Sequence, residues 1–108
     1  MVDDEAALAI VTTTVPSQQD ASRLAAAAVQ QRLAACVQVE AIASHYVWQG
    51  GQCEDAEWRL ACKTLAAAAP ALRAWLRAQH PYEVPQLLTH TVQAEADYAR
   101  WVAHQVDG

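Results

Sequence analysis

The fold of this chain is decided by three successive segments: CVQVEAIASHYVW (residues 36–48), QGGQ (49–52) and CEDAEWRLACKT (53–64). The two outer segments are extended in pattern, with β-branched and aromatic residues recurring along them. The Gly50-Gly51 pair between them supports the positive φ angles of a tight turn. We therefore predict a β-hairpin. Its arms are longer than a typical strand, so we expect it to project beyond its sheet, where a partner chain adding strands could cover it.

The segments on either side of the hairpin complete an α+β pattern. Residues 7–15 are apolar on both parities, which is typical of a strand covered on both faces. After Pro16, Ser17 is a good helix N-cap with Asp20 three residues on. The other predicted elements are a helix over 18–34, a second helix over 65–79 that begins near 67–69, a strand over 86–92 and a terminal helix over 95–106. The order β-α-β-β-α-β-α predicts a ferredoxin-like fold, an antiparallel sheet with two helices on one face and an added C-terminal helix.

Length and charge exclude several classes of protein. A chain of 108 residues forms one domain, and much of its 54% hydrophobic content is alanine, which buries little area per residue. We therefore expect further apolar area to be buried between subunits. The net charge of −5, with no basic stripe, argues against nucleic-acid binding. No apolar run is long enough for a membrane span, and the acidic start Met1–Glu5 lacks the basic region of a signal peptide, so we predict a cytoplasmic protein.

The three cysteines, Cys36, Cys53 and Cys62, do not form a disulfide or zinc pattern. Their number is odd, and they have neither Cys-x-x-Cys nor Cys/His zinc spacing. We predict that all three are reduced thiols that serve as small apolar packing groups.

The richest group of reactive side chains lies in the hexapeptide His80-Pro81-Tyr82-Glu83-Val84-Pro85. Each proline fixes its own φ and biases the preceding residue toward extended geometry, so this segment is predicted to be stiff. It is interpreted either as a rigid connector between a helix and a strand, or as the wall of a binding or catalytic site.

Three kinds of site are consistent with the residues. The histidines lack metal-ligand spacing, although His80 with Cys36 would suit copper or zinc if strand and loop meet. His80, Tyr82, Glu83 and Lys63 contain the parts of a proton-transfer or anion-binding site, but no nucleophile or phosphate-loop motif accompanies them. Aromatic residues near the hairpin and the hexapeptide suit either interface packing or a small-molecule pocket; they are Tyr46, Trp48, Trp58 and Tyr82.

The sequence resembles the CutA (CutA1) divalent-cation tolerance family over about residues 8–104. The resemblance is carried by five motifs in order, which are Arg32-Leu33-Ala34-Ala35-Cys36-Val37, Tyr46-x-Trp48-x-Gly50, Lys63-Thr64, His80-Pro81-Tyr82-Glu83-Val84-Pro85 and Asp97-Tyr98-x-x-Trp101. It implies a homotrimer of ferredoxin-like subunits whose long hairpins pair across subunit boundaries, similar to the trimers of PII signalling proteins. It also implies a role in the response to metal ions, with copper or another divalent cation as the proposed ligand and no assigned enzymatic activity. Clefts between subunits would gather Cys36, Trp48, Lys63, His80, Tyr82 and Glu83.

The chain departs from the family's copper-binding pattern at two positions. Some members have a cysteine where this sequence has Thr13, and a second histidine where it has Gln79, which leaves His80 as the one candidate metal ligand of that set. The leading hypothesis is a non-enzymatic CutA-like trimer that binds a ligand or metal ion at intersubunit clefts. The alternatives are a PII-like sensor of a small anionic molecule, with Lys63 as its charge partner, and an acid–base enzyme that uses His80 and Glu83.

Overall fold

The computed structural model describes residues 7–106, so the acidic residues 1–5 considered above lie outside the described part of the chain. A short 3₁₀ turn over 66–68 precedes the second helix, which begins at Ala69 as expected from Pro70 in its first turn. In chain order the elements are β1 (Ala7–Val15), α1 (Gln18–Gln30), β2 (Cys36–Trp48), β3 (Gly51–Leu65), α2 (Ala69–Gln79), β4 (Leu88–Gln93) and α3 (Ala96–Gln105). None of the helices in residues 7–106 is long and apolar enough to cross a membrane.

The four strands form one antiparallel sheet in the order β2-β3-β1-β4. This order confirms the predicted ferredoxin-like α+β fold. The hairpin turn is tighter than predicted: β3 already begins at Gly51, so only Gln49 and Gly50 lie between the strands. Both have positive φ, 52° and 80°, and such a two-residue turn matches the right-handed twist of the strands.

Helix α1 ends four residues earlier than the sequence pattern predicted, at Gln30. Arg32 takes a left-handed φ of 60°, and the N–H groups of Leu33 and Ala34 both donate to the carbonyl of Ala28. The Arg32 guanidinium donates to the backbone carbonyl of His104 at 2.7 Å, which ties this corner to α3. The chain thus turns into β2 without the glycine that usually marks such a helix end.

The main core lies between the sheet and helices α1 and α2. Ala9, Val11 and Val15 of β1 lie on the same face of the sheet as Leu60 and Cys62 of β3, and all are buried. The helices supply Ala21, Leu24, Ala28, Ala69, Leu72 and Leu76 to this cluster. The structure shows Cys36, Cys53 and Cys62 as free thiols, and burial in this cluster raises the pKa of Cys62 to about 12. The predicted role as a packing group in the core holds for Cys62, whereas Cys36 and Cys53 are only half-buried.

The second face of the sheet is only partly covered. Helix α3 packs Ala99 and Val102 against Leu8 at one end of it. Ile10 and Thr12 remain half-buried, so the expectation that β1 is covered on both faces holds at its ends but not in its middle.

The hairpin projects beyond the rest of the sheet, as predicted. β3 pairs with β1 only from Trp58 to Leu65, whereas its pairing with β2 continues to Gly51. The projecting part gives the molecule its long axis of 52 Å, against 23 and 21 Å in the other directions. It also brings the hairpin tip past the end of β1, next to the segment that follows α2.

Candidate functional site

His80 fixes the start of the predicted hexapeptide to the end of β1. It caps α2 with extended backbone angles, which Pro81 favours. Its Nε2 lies 2.8 Å from the hydroxyl of Thr13, a buried residue 67 positions away in sequence. Its Nδ1 accepts a hydrogen bond from the backbone N–H of Tyr82 at 3.1 Å. The imidazole therefore links β1 to the loop on both of its nitrogens.

These two contacts determine the protonation state of His80. Because Nδ1 accepts a hydrogen bond from an N–H group, the proton of the neutral ring must be on Nε2, which donates it to Thr13. Burial lowers the pKa of His80 below its ordinary value, and the Thr14 backbone and the carboxylates of Asp20 and Glu57 oppose that shift only in part. In the folded protein the imidazole of His80 is therefore neutral and hydrogen-bonded through both of its ring nitrogens.

The lowered pKa of His80 predicts a loss of stability in mild acid. The unfolded chain, with a histidine pKa of about 6.5, binds the proton more readily than the folded chain. The neutral His80 ring contributes its full stabilisation of the fold above the pKa of the unfolded chain. This contribution is lost as the pH falls from that pKa toward the lower pKa of the folded chain. We expect the melting temperature of the unaltered protein to fall as the pH is lowered from about 7.5 to about 5.5, a range that brackets the histidine pKa of about 6.5. The melting temperature of His80→Gln is expected to fall less over the same range.

The matched control for this pH experiment is His90→Gln, which removes an exposed histidine from β4. This variant is expected to keep the pH dependence of the unaltered protein. Equal pH dependence in the unaltered protein and in His80→Gln would contradict the assignment of the neutral imidazole.

The loop after His80 and the hairpin tip border a half-open cavity of about 910 Å³. The hydroxyl of Tyr82 donates to the Glu57 carboxylate at 2.5 Å, and the hydroxyl of Tyr46 donates to Asp55, its neighbour on the same face of the hairpin. These bonds fix the two phenols against β3. The cavity is lined by Thr14, Pro16, Ser44, His45, Tyr46, Trp48, Asp55, Ala56, Glu57, Tyr82, Glu83, Val84 and Gln86.

Negative charge and aromatic rings dominate this cavity. Three of its lining residues, Asp55, Glu57 and Glu83, are carboxylates, and the described residues that line it include neither lysine nor arginine. The hydrogen bond to Asp55 is the main cause that raises the pKa of Tyr46 to about 12, while burial followed by the bond to Glu57 raises the pKa of Tyr82 still further. Both phenols therefore remain protonated and leave the negative charge on the carboxylates.

The structure brings together only part of the predicted site. Trp48, Tyr82 and Glu83 line the cavity, and His80 adjoins it, with its ring centroid 5.4 Å from that of Tyr82. Cys36 and Lys63 are instead directly opposite each other at the far end of the β2–β3 ladder. Within one chain they do not line this cavity, and their membership of a site between subunits stays a prediction.

Two further residues of the cavity, Asp55 and Glu57, were not singled out from the sequence. The signal that could have identified them is the acidic run Glu54-Asp55-Ala56-Glu57 at the tip of a strand that is otherwise rich in apolar residues. Carboxylates placed next to aromatic residues on a projecting hairpin are suited to contacting a ligand or a partner, because they contribute nothing to a core.

Metal coordination within one chain is poorly supported by these side chains. In residues 7–106 no group of three or more His, Cys, Asp or Glu residues is arranged to hold a metal ion. A metal on Nε2 of His80 would move the ring proton to Nδ1, where it would oppose the N–H of Tyr82. Cys36 cannot join His80, because it lies on the sheet face opposite to Thr13. The residues of a single chain therefore do not fit a copper site.

The other two hypotheses also find little support in this geometry. An acid–base role for His80 needs a ring nitrogen that can reach a substrate, and both nitrogens are hydrogen-bonded to the protein. An anion sensor needs positive charge in the cavity, whereas Lys63 lines a separate cavity of about 170 Å³ beside Tyr98. Both hypotheses stay untested predictions.

The chain is thus a small α+β protein with a ferredoxin-like sheet, a long projecting hairpin, an acidic aromatic cavity at the hairpin tip and a His-Pro-Tyr loop. The family model that matches the chain is the CutA1 divalent ion tolerance protein, over residues 9–105. The chain belongs to the CutA1 family.

Similar proteins come from distant organisms. The divalent-cation tolerance protein CutA of Thermus thermophilus is 40% identical over 95 residues, which are 86% of this chain and 92% of that protein. Protein CutA of Mus musculus is 41% identical over 95 residues, and there the match spans 86% of this chain but only 53% of the longer mouse protein. The solved structure of CutA from Synechococcus elongatus superposes with a TM-score of 0.90 at 38% identity, covering 94% of this chain and 92% of that one.

Proposed function

We propose that this protein acts in divalent-cation tolerance as a non-enzymatic homotrimer, and that it binds a ligand in the clefts beside its hairpins. The observation that carries the proposal is the unpaired outer edge of strand β2 in the hairpin. β2 is a strand of 13 residues at the edge of the sheet, and within residues 7–106 no strand pairs with its outer side. Such an edge leaves a row of backbone N–H and C=O groups free to pair with another chain.

Exposed apolar side chains on the same hairpin support assembly. Val39, Tyr46, Val47 and Trp48 are 40–69% exposed, although they are large and apolar. Tyr46 and Trp48 lie on the sheet face that helices α1 and α2 leave open, and Val39 and Val47 lie on the other face. Large apolar groups exposed in this way often mark an interaction site. The half-exposed middle of β1 adds further area on the face of Tyr46 and Trp48, so a second and third copy would cover surfaces that one chain leaves open.

A role in metal tolerance does not require a metal site within each chain. Because His80 is engaged by Thr13 and Tyr82, a copper or other divalent ion would have to be held by carboxylates of the cleft together with groups of a neighbouring subunit. We propose the cytoplasm as the compartment, with which three free thiols are compatible.

The proposal is tested by mass and by metal titration. Light scattering and native mass spectrometry of the full chain are expected to give three copies per particle, and a strictly monomeric mass would overturn the proposal. Calorimetric titration of the same sample with Cu(II) and Zn(II) is expected to give the same affinities for the unaltered protein and for His80→Ala. A large loss of Cu(II) affinity in His80→Ala would show instead that His80 is a metal ligand.

A further inference from the structure

We propose that Tyr82 is a positioning residue for assembly, which holds the projecting hairpin of the free subunit in the direction in which neighbouring copies pair with it. The hydroxyl of Tyr82 donates to the carboxylate of Glu57 at 2.5 Å, and this bond joins the loop after α2 to the hairpin. The inference rests on the homotrimer proposed above and names the residue that prepares a subunit for it. It concerns the subunit before assembly, the state in which the contacts within one chain act alone.

The hairpin loses the support of β1 at the position of Glu57. Trp58 is the last residue of β3 that pairs with β1, where it lies opposite Val15. From Glu57 to the turn, β2 is the one strand within residues 7–106 that lies beside β3. Two-stranded ribbons twist more strongly than wider sheets and are marginally stable by themselves. Glu57 therefore lies at the place where the projecting part of the hairpin can bend relative to the sheet.

Tyr82 is itself fixed to the body of the subunit. Its backbone N–H donates to Nδ1 of His80 at 3.1 Å, and Nε2 of His80 lies 2.8 Å from the hydroxyl of Thr13 in β1. Thr13 is opposite Leu60, on the sheet face that helices α1 and α2 cover, whereas Glu57 lies on the other face. The loop thus passes around the end of β1 and is hydrogen-bonded on both faces of the sheet, which restrains the hairpin from either side.

Other side-chain bonds of the projecting part begin and end within the hairpin. The hydroxyl of Tyr46 donates to Asp55, and Nε2 of His45 lies 3.5 Å from the Glu54 carboxylate. These bonds stabilise the pairing of β2 with β3 but leave the angle between the hairpin and the sheet unrestrained. The bond from Tyr82 is different because it crosses from the body of the subunit to the hairpin.

A positioning residue and an interface residue have different effects on the rates of assembly. If the hairpin takes the competent direction only part of the time, the association rate falls in proportion to that population, and the dissociation rate of assembled subunits does not change. Groups that pack directly between subunits act mainly on the dissociation rate. Measuring both rates therefore distinguishes the two roles.

The decisive variant is Tyr82→Phe, which keeps the ring and removes the hydroxyl. The full chain is refolded from urea at several protein concentrations, and light scattering follows the concentration-dependent assembly phase. We expect this phase to be slowed about fivefold or more, the effect of losing one hydrogen bond to a carboxylate. The concentration-independent folding phase, followed by circular dichroism, is expected to keep its rate.

The dissociation rate is measured by exchange of isotope-labelled subunits between assembled particles, followed by native mass spectrometry. We expect Tyr82→Phe to exchange subunits at the rate of the unaltered protein. An unchanged assembly rate in Tyr82→Phe would overturn the inference. A loss of affinity that results only from faster exchange would overturn it as well, because Tyr82 would then be an interface residue.

The matched control is Tyr46→Phe, which removes a phenol–carboxylate bond that lies within the hairpin. Its assembly rate is expected to stay close to that of the unaltered protein, and equal slowing in the two tyrosine variants would contradict the inference. Glu57→Ala removes the acceptor of the Tyr82 hydroxyl and is expected to slow assembly as Tyr82→Phe does. The double variant is expected to be no slower than either single variant, because both changes remove the same bond. Additive slowing would also contradict the inference.

The unaltered protein separates this inference from the proposed function. A strictly monomeric mass for the unaltered protein would overturn the proposed trimer and the inference together. A trimer whose assembly rate does not depend on the Tyr82 hydroxyl would overturn the inference alone and leave the proposed function intact.

Discussion

Trp48→Ala is expected to dissociate the proposed trimer while leaving the fold of each subunit intact. Trp48 is 61% exposed within one chain, so its removal costs a single subunit little. If neighbouring subunits bury it, the loss is that of a core-like tryptophan, roughly 3–5 kcal/mol. That energy corresponds to a dissociation constant more than about a hundredfold higher. Sedimentation or native mass spectrometry over a dilution series measures this change directly.

The control for the Trp48 experiment is Trp101→Ala, the same change on the exposed surface of α3, where Trp101 is 43% exposed. We expect this variant to keep the native mass. Far-ultraviolet circular dichroism should show the same secondary structure for both variants. A Trp48→Ala protein with unchanged mass and melting temperature would mean that Trp48 does not pack between subunits.

Leu60→Ala is expected to destabilise the subunit itself. Leu60 is fully buried in β3, directly opposite Thr13 of β1 and Val39 of β2, in the cluster that helices α1 and α2 cover. Truncation of such a leucine leaves a cavity and costs about 2–5 kcal/mol. For a domain of this size that loss lowers the melting temperature by roughly 8 °C or more.

The comparison for Leu60 is Leu88→Ala, the same exchange on β4 at a position that is 48% exposed. Its cost is expected to stay below about 1 kcal/mol, because less apolar area leaves contact. Urea unfolding of the unaltered protein, Leu60→Ala and Leu88→Ala is measured at one fixed protein concentration, because assembly contributes to apparent stability. Similar losses in the two variants would show that Leu60 is not a central residue of the core.

The fold could be predicted from the sequence because its determinants are local. Alternating and helical periodicities define the strands and helices, and the Gly50-Gly51 pair locates the hairpin turn within two residues of its observed place. The predicted end of α1 was wrong because the apolar pattern continues through Ala34. The chain instead turns at Arg32, a residue type that seldom takes a positive φ. No local signal indicates that turn.

The site could be predicted only in part because its contacts are long-range. The sequence predicts the hexapeptide to be either a stiff connector or the wall of a site, but the hydrogen bond between His80 and Thr13 joins residues 67 positions apart and depends on how α2 packs on the sheet. The pairing of Tyr82 with Glu57 likewise depends on how far the hairpin projects past β1. Placing Lys63 in the same cleft followed from a resemblance that describes assembled subunits, which the fold of one chain does not display.

If the proposed trimer covers the open outer edge of β2, the protection of that edge depends on protein concentration. A chain whose sheet edge is covered only by other copies loses that protection whenever dilution drives the copies apart. A separated subunit would present a long strand edge beside exposed Val47 and Trp48, a surface prone to wrong pairing and accessible to proteases. Newly made chains would therefore be safest when they are synthesised close together and find one another quickly.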